Sequence, residues 1–167
     1  MDLYYFAYGS NLARARLEAR VGAVGRVGTG RLDGHALRFH KRGRDGSGKC
    51  DVAASAALGD HVLGAVYTLT FAQRRRLDLY EGPDYAVRRL PVRVGDGRPV
   101  EAFTYLAFPR AVDPRLTPFD WYRDFVLHGA LENDFPAAYV AFIEACPVVA
   151  DPDARRAQDN RRILGRV

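Results

Sequence analysis

The sequence predicts a single α+β domain in which a mixed β-sheet curls into a small barrel with flanking α-helices. Three observations support this prediction. The 167 residues, 48% of them hydrophobic, suffice for one complete core but are few for two. Apolar runs typical of strands and segments of helical spacing follow the order strand, helix, several strands, helix, hairpin, two helices. No internal repeat or interdomain linker interrupts that order.

The N-terminal segment predicts a buried strand, a tight turn and a helix. Residues 3–8 (LYYFAY) are apolar without polar alternation, which is typical of a strand buried on both faces. Gly9 permits a tight turn, and Ser10 or Asn11 can cap the helix that follows. The first N–H groups of a helix lack intrahelical partners and favour an anion. The turn at 8–12 is therefore either an ordinary capped helix start or a socket for a carboxylate or phosphate.

The middle of the chain predicts four strands, a helix and a β-hairpin. The strand segments are 23–32, 36–40, 52–58 and 62–69, and the hairpin joins 85–94 to 100–108 around the turn at 95–97. Thr70 can cap the helix, and Phe71, Leu77 and Tyr80 fall near one of its faces before it ends at about Glu81.

A glycine-rich loop over 43–49 separates two of these strands. Its G-S-G-K invites comparison with the phosphate-binding pattern G-x-x-x-x-G-K-[ST]. The match fails because Cys50 follows Lys49 and no helical pattern begins there. The loop therefore does not predict a nucleotide site.

The last third predicts two helices and a tail. Each helix is opened by a polar residue with a proline close behind it. The openings are Thr117-Pro118 for a helix over 119–129, and Asp134 with Pro136 for a helix through 146. We therefore predict a domain over 1–147 and an arginine-rich C-terminal tail over 148–167 that packs on the domain or extends from it.

The net charge of +5 does not by itself indicate nucleic-acid binding. Lys41 and Lys49 are the only lysines, so the basic character comes almost entirely from arginine. The arginines are dispersed, and those of the tail alternate with aspartates. This pattern favours a solvated surface over a nucleic-acid site.

Metal, disulfide and membrane functions are also disfavoured. Cys50 and Cys146 lie far apart without the CxxC spacing of a zinc site or a disulfide framework. His35 and His40 are an odd number of residues apart in a strand, so they point to opposite faces. No apolar run approaches the ~20 residues that span a bilayer, and the N-terminus lacks the basic region of a signal peptide. We expect a cytoplasmic protein.

Glu81 is the carboxylate with the most suggestive surroundings. It ends a predicted helix and is followed by a glycine and, four residues on, by Tyr85. The negative end of the helix dipole and aromatic neighbours both disfavour an ionised carboxylate, which suits a general acid/base. A glutamate in the last turn of a helix is more often a solvated surface residue, so a functional role requires a partner.

Several segments together resemble the γ-glutamyl cyclotransferase family with its AIG2-like fold. The first is Y-G-S-N-L at 8–12, and the second is L-D-x-x-E-G at 77–82 before a strand that begins with tyrosine. A late helix reads Y-R-D-F-V-L-H-G-A-L-E-N-D-F-P at 122–136. Segments 32–39, 52–54 and 62–67 fall between them in the order of that family. The resemblance covers about residues 3–146.

The resemblance implies a small enzyme that cyclises a γ-glutamyl group to 5-oxoproline and releases the attached amine. It implies Glu81 as the general acid/base and Tyr85 and Tyr122 as pocket tyrosines. The γ-glutamyl moiety would be held by Tyr8 and the backbone of Gly9, Ser10, Asn11 and Leu12. No metal or organic cofactor is implied. The expected partner is a small-molecule γ-glutamyl substrate, without nucleic acid or membrane, and the expected state is a monomer or homodimer.

Two alternatives stay open at this stage. One is a specialised cyclotransferase that removes a γ-glutamyl group from a biosynthetic intermediate or acts on γ-glutamylamines. The other is a non-catalytic binding module on the same fold. The loop at 43–50 and the late helices are the expected surroundings of the leaving group. Acidic side chains there would favour a polyamine or aminoglycoside, and an open apolar wall would favour an amino acid.

Overall fold

A computed structural model describes residues 2–97 and 99–165, so predictions that include residues 1, 98, 166 and 167 lie partly outside the described residues. The strands are β1 Leu3–Ala7, β2 Gly25–Asp33, β3 His35–Arg42, β4 Gly48–Ala54, β5 His61–Leu69, β6 Tyr85–Val94 and β7 Pro99–Ala107. The helices are α1 Arg14–Val21, α2 Phe71–Glu81, α3 Asp120–Glu132, α4 Ala137–Glu144 and α5 Ala154–Ile163. Short 3₁₀ turns form at Ser10–Leu12 and Pro109–Ala111.

Five of the strands close a barrel in the order β1, β5, β2, β6, β7. The neighbouring pairs are antiparallel except β1 and β7, which run parallel and pair at Tyr5 and Phe103. Strands β3 and β4 form a separate antiparallel ribbon. The predicted α+β class and mixed barrel are therefore confirmed.

Helix α3 packs directly against the turn that follows β1. A Cβ atom on Gly129 would lie 2.5 Å from the backbone nitrogen of Ala13 and 2.6 Å from the carbonyl carbon of Leu12. Only a residue without a side chain allows this approach. Phe125 on the same helix is fully buried in the core. The contact fixes the turn at 8–12 between the barrel and α3.

The predicted cap at the start of the first helix is wrong. Ser10 and Asn11 belong to a single 3₁₀ turn, and α1 begins at Arg14 with Ala13 in the N-cap position and no side-chain cap. Instead, the Ser10 hydroxyl accepts a hydrogen bond from Arg16 of α1, and the Asn11 amide donates one to Glu81 of α2. Both side chains therefore bind other parts of the chain and do not cap the helix.

Of the helix caps predicted at Thr70 and Thr117, only the cap at Thr70 forms. Thr70 caps α2 in a reciprocal capping box with Gln73, as predicted. Within α2 only Leu77 is buried, and Phe71 and Tyr80 are exposed, so these three residues do not form a buried face. Helix α3 begins at Asp120 rather than after Thr117, whose carbonyl oxygen accepts from the backbone N–H of Gly48.

The C-terminal segment folds back onto the rest of the molecule through α5. Arg161 forms an ion pair with Asp120 at 2.8 Å, and Asn160 accepts a hydrogen bond of 2.6 Å from Arg16 in α1. The domain boundary at 147 stays a prediction.

Among the described residues, no helix combines the length and the apolar character needed to cross a bilayer. The cytoplasmic location and the monomeric or dimeric state stay predictions.

Candidate active site

A small recess of about 30 Å³ lies where the turn after β1 meets the end of α2, β4 and α3. Seven of the eight site residues expected from the sequence line it. The lining residues are Tyr5, Tyr8, Gly9, Ser10, Asn11, Cys50, Glu81, Tyr85, Tyr105 and Tyr122. The exception is Leu12, which is fully buried, and its carbonyl oxygen accepts a 3.1 Å hydrogen bond from the Tyr67 hydroxyl.

Glu81 is held by two donors from the N-terminal part of the chain. Its Oε1 accepts a 2.8 Å hydrogen bond from the Asn11 amide and a 3.3 Å contact from the Arg20 guanidinium. Arg20 also donates to the Asn11 Oδ1 at 2.8 Å, which closes a three-residue network. Arg20 is the cationic partner of Glu81 in this network, at 3.3 Å. Sequence reasoning missed Arg20 because no local pattern links it to Glu81.

The other polar side chains of the turn also have partners within the protein. The Tyr8 hydroxyl donates to the carbonyl oxygen of Tyr105, and the Asn11 amide also donates to the Tyr5 hydroxyl at 3.0 Å. The Ser10 hydroxyl accepts from Arg16 at 3.2 Å. These contacts hold the turn in one conformation.

The backbone of Cys50 is held by the two predicted pocket tyrosines. The N–H of Cys50 donates to the Tyr122 hydroxyl at 2.9 Å, and the Tyr85 hydroxyl donates to the carbonyl oxygen of Cys50 at 2.5 Å. A Cβ atom on Gly9 would lie 3.0 Å from the Cys50 Cβ and 3.3 Å from the Tyr122 hydroxyl. Glycine at position 9 therefore lets the turn approach β4 closely.

Burial keeps three tyrosines and the cysteine of the recess neutral. It raises the pKa of Tyr8, Tyr85 and Tyr122 well above the ordinary value of 10.0. It also raises the pKa of the Cys50 thiol, so this cysteine is not activated as a nucleophile. The tyrosines can act as hydroxyl groups, and Glu81 is the carboxylate among the recess residues.

A larger cavity of about 380 Å³ adjoins the recess and shares Ser10, Glu81, Tyr85 and Tyr122 with it. We call it the outer cavity. Its other lining residues come from α1, α2, the 41–49 region, α3 and α5: Arg16, Arg20, Lys41, Gly43, Arg44, Asp45, Lys49, Tyr80, Trp121 and Arg156. The loop and the late helix that the sequence suggested as leaving-group surroundings both contribute. Its basic side chains outnumber the acidic groups that a polyamine would favour.

Within the described parts of the chain, no cluster of three or more His, Cys, Asp or Glu side chains could hold a metal ion.

A carboxylate fixed beside a tyrosine-lined recess is a candidate site for a small molecule. The family model described as "Gamma-glutamyl cyclotransferase, AIG2-like" matches residues 5–123. The chain therefore belongs to this family of enzymes.

Individual relatives agree with that assignment. Human γ-glutamylcyclotransferase is 28% identical over 149 residues, which is 84% of this chain and 77% of the human protein. A solved structure of a γ-glutamyl cyclotransferase superposes with a TM-score of 0.85 at 23% identity, covering 99% of each chain. A human protein described as uncharacterized superposes with a TM-score of 0.84 at 24% identity, covering 98% of each chain. The two structures show a shared fold.

Proposed function

We propose that this protein converts a γ-glutamyl amide to 5-oxoproline and a free amine or amino acid, with Glu81 as the general acid/base. Family membership supports the reaction class. The contact between Glu81 and Asn11, which are 70 positions apart, is the observation that carries the role of Glu81. It joins the end of α2 to the turn proposed to hold the glutamyl end.

The proposed reaction uses only groups of the substrate and one carboxylate. Glu81 takes a proton from the α-amino group, whose nitrogen then attacks the γ-carbonyl carbon and forms the five-membered ring. The bond from that carbon to the leaving nitrogen breaks, and Glu81 returns the proton to the leaving nitrogen. Among the described residues, both donors to Glu81 contact Oε1. Oε2 is therefore the oxygen proposed to exchange the proton.

Orientation supplies much of the proposed rate enhancement. The nucleophile and the electrophile belong to one molecule, and fixing such groups in a reactive geometry contributes up to ~7 to 11 kcal/mol. We place the reacting atoms where the recess joins the outer cavity, beside Ser10, Glu81, Tyr85 and Tyr122. The glutamyl end then lies against Tyr8 and residues 9–11 of the turn, and the leaving group extends into the outer cavity.

The test is to incubate the protein with γ-glutamyl amino acids, γ-glutamyl amines and glutathione and to measure 5-oxoproline. Glu81→Gln should lower kcat by roughly 10² to 10⁴-fold, because the amide keeps the shape but cannot transfer the proton. Calorimetry with an unreactive γ-glutamyl analogue should still detect binding.

Glu132→Gln is the matched control, because Glu132 also ends a helix but is exposed and contacts the backbone of Arg14. Its kcat should equal that of the unchanged protein. Normal turnover by Glu81→Gln would refute the assignment of Glu81. No 5-oxoproline from any compound would favour the non-catalytic binding module.

A further inference from the structure

The outer cavity has more positive than negative charge. Six cationic side chains and two carboxylates line it. Three of the cations have carboxylate partners: Arg20 with Glu81 at 3.3 Å, Lys49 with Asp45 at 2.7 Å, and Arg156 with Asp151 at 2.5 Å. The other three, Arg16, Lys41 and Arg44, form no ion pair with a carboxylate of the described residues.

Arg16 is buried, and its hydrogen-bond and ring partners are neutral. It is 8% exposed, and its guanidinium stacks 4.2 Å from the centre of the Phe125 ring. Its hydrogen bonds go to the Ser10 hydroxyl at 3.2 Å and to the Asn160 side chain at 2.6 Å. Burial lowers the pKa of Arg16 to about 9, so it stays a cation at neutral pH. A buried cation with neutral partners is unfavourable unless an anion compensates it.

Lys41 and Arg44 are two further cations of the outer cavity. Lys41 lies beside the recess, and Arg44 lies at the mouth of the cavity. Lys41 is 4% exposed, and its ammonium lies 4.4 Å from the centre of the Tyr85 ring, which also lines the recess. Arg44 is exposed and donates to the carbonyl oxygen of Leu79 at 3.3 Å. The chain's only two lysines, Lys41 and Lys49, both line this one cavity.

We propose that the leaving group carries at least two anionic groups, as in an acidic or a phosphorylated amino acid. This inference rests on the proposed function, which places the leaving group in the outer cavity. The unpaired cations Arg16, Lys41 and Arg44 would face these groups. A cationic polyamine would meet like charge in the same place.

The test compares substrates that differ by one anionic group. The first pair is γ-glutamyl-glutamate and γ-glutamyl-glutamine, which have nearly the same shape. The second pair is γ-glutamyl-phosphoserine and γ-glutamyl-serine. In at least one pair, kcat/KM should be on the order of 10-fold higher for the more anionic substrate. This is the effect expected when the substrate gains one hydrogen bond between charged groups. The pair with the larger ratio identifies the anion as carboxylate or phosphate. Added salt should reduce the ratio.

Two arginines of one loop region provide a matched pair of variants. Arg44→Gln removes an exposed cation from the cavity mouth and should lower the ratio severalfold. Arg42→Gln removes a cation two residues away that pairs with Asp113 at 3.3 Å and does not line the cavity, so the ratio should stay unchanged. Lys41→Met should lower the ratio further. If Lys41→Met misfolds because Lys41 is buried, the exposed Arg44→Gln still provides the test.

The outcomes separate the two proposals. Formation of 5-oxoproline with equal kcat/KM in both pairs, or with a γ-glutamyl polyamine preferred, would overturn this inference and leave the proposed function standing. Absence of 5-oxoproline from every compound would overturn the proposed function, and the inference with it.

Discussion

At the scale of single residues, Tyr85 and Tyr122 hold the two backbone polar groups of one residue, Cys50. Tyr85 donates its hydroxyl hydrogen to the carbonyl oxygen of Cys50. Tyr122 accepts from the Cys50 N–H, and this bond does not use the hydrogen of its own hydroxyl. Tyr122 is therefore the better candidate to donate to the γ-carbonyl oxygen as it gains negative charge.

The two Tyr→Phe variants test this difference. Each removes one hydrogen bond to the backbone of Cys50, a loss of about 1 kcal/mol in either variant. Tyr122→Phe should lower kcat on the order of 100-fold because it also removes the donor to the developing charge. Tyr85→Phe should lower kcat by less than about 10-fold. Steady-state kinetics with one γ-glutamyl substrate and thermal unfolding of both variants measure the two effects, and equal kcat values would contradict the donor role of Tyr122.

The sequence could predict the residues of the site better than the partners that hold them. Tyr8 and Glu81 stand in motifs that resemble a family, so the sequence alone was enough to expect that they lie close together. Arg20 and Cys50 stand in no such motif. Their contacts to Glu81 and Tyr122 cross 61 and 72 residues of sequence, and local patterns carry no information about pairing at that distance.

At the scale of elements, the buried carboxylate of Asp151 attaches α5 to α3. This carboxylate accepts a 2.7 Å hydrogen bond from the indole of Trp121 in α3 and forms an ion pair with Arg156 in α5. The sequence showed arginines alternating with aspartates but not which of them would pair. The Asp151 side chain is inaccessible to solvent, whereas the Asp159 side chain, on the same helix as Arg156, pairs with Arg162 while 54% exposed.

Asp151→Asn should reduce stability in a pH-dependent way. The hydrogen bonds from Arg156 lower the pKa of Asp151 to about 2, from an ordinary value of 3.8. The carboxylate therefore contributes stability above about pH 4 and loses that contribution as the pH falls through about 2. Urea denaturation at pH 7 should show a loss of about 2 kcal/mol in the variant, and the difference from the unchanged protein should shrink towards pH 2.

Asp159→Asn is the control, because an exposed ion pair contributes little. Its free energy of unfolding should change by less than about 0.5 kcal/mol at any pH. A pH-independent loss in Asp151→Asn would show that packing, rather than charge, accounts for the contribution of Asp151.

At the scale of the whole molecule, barrel closure depends on two glycines that face each other. Gly30 of β2 pairs with Gly64 of β5, and the ring of Phe6 from β1 occupies the space that their side chains would fill. Phe6 is fully buried. The sequence predicted these strands individually and a barrel as their assembly. It could not predict the glycine pairing, because register across β2 and β5 depends on contacts between segments distant in sequence.

Gly64→Ala should destabilise the barrel through Phe6. The new Cβ would lie 2.5 Å from the Phe6 ring and 2.5 Å from the carbonyl oxygen of Ala7, so β1 or the ring must move. Overpacking of this kind lowers stability by about 1 to 3 kcal/mol. Phe6→Leu alone leaves a cavity, but in the Gly64→Ala background it relieves one of the two contacts. Denaturant unfolding of the double-mutant cycle should therefore give a loss smaller than the sum of the single losses. Additive losses would mean that the ring does not limit the approach of β1 to β5, and that the backbone contact at Ala7 alone makes glycine necessary at position 64.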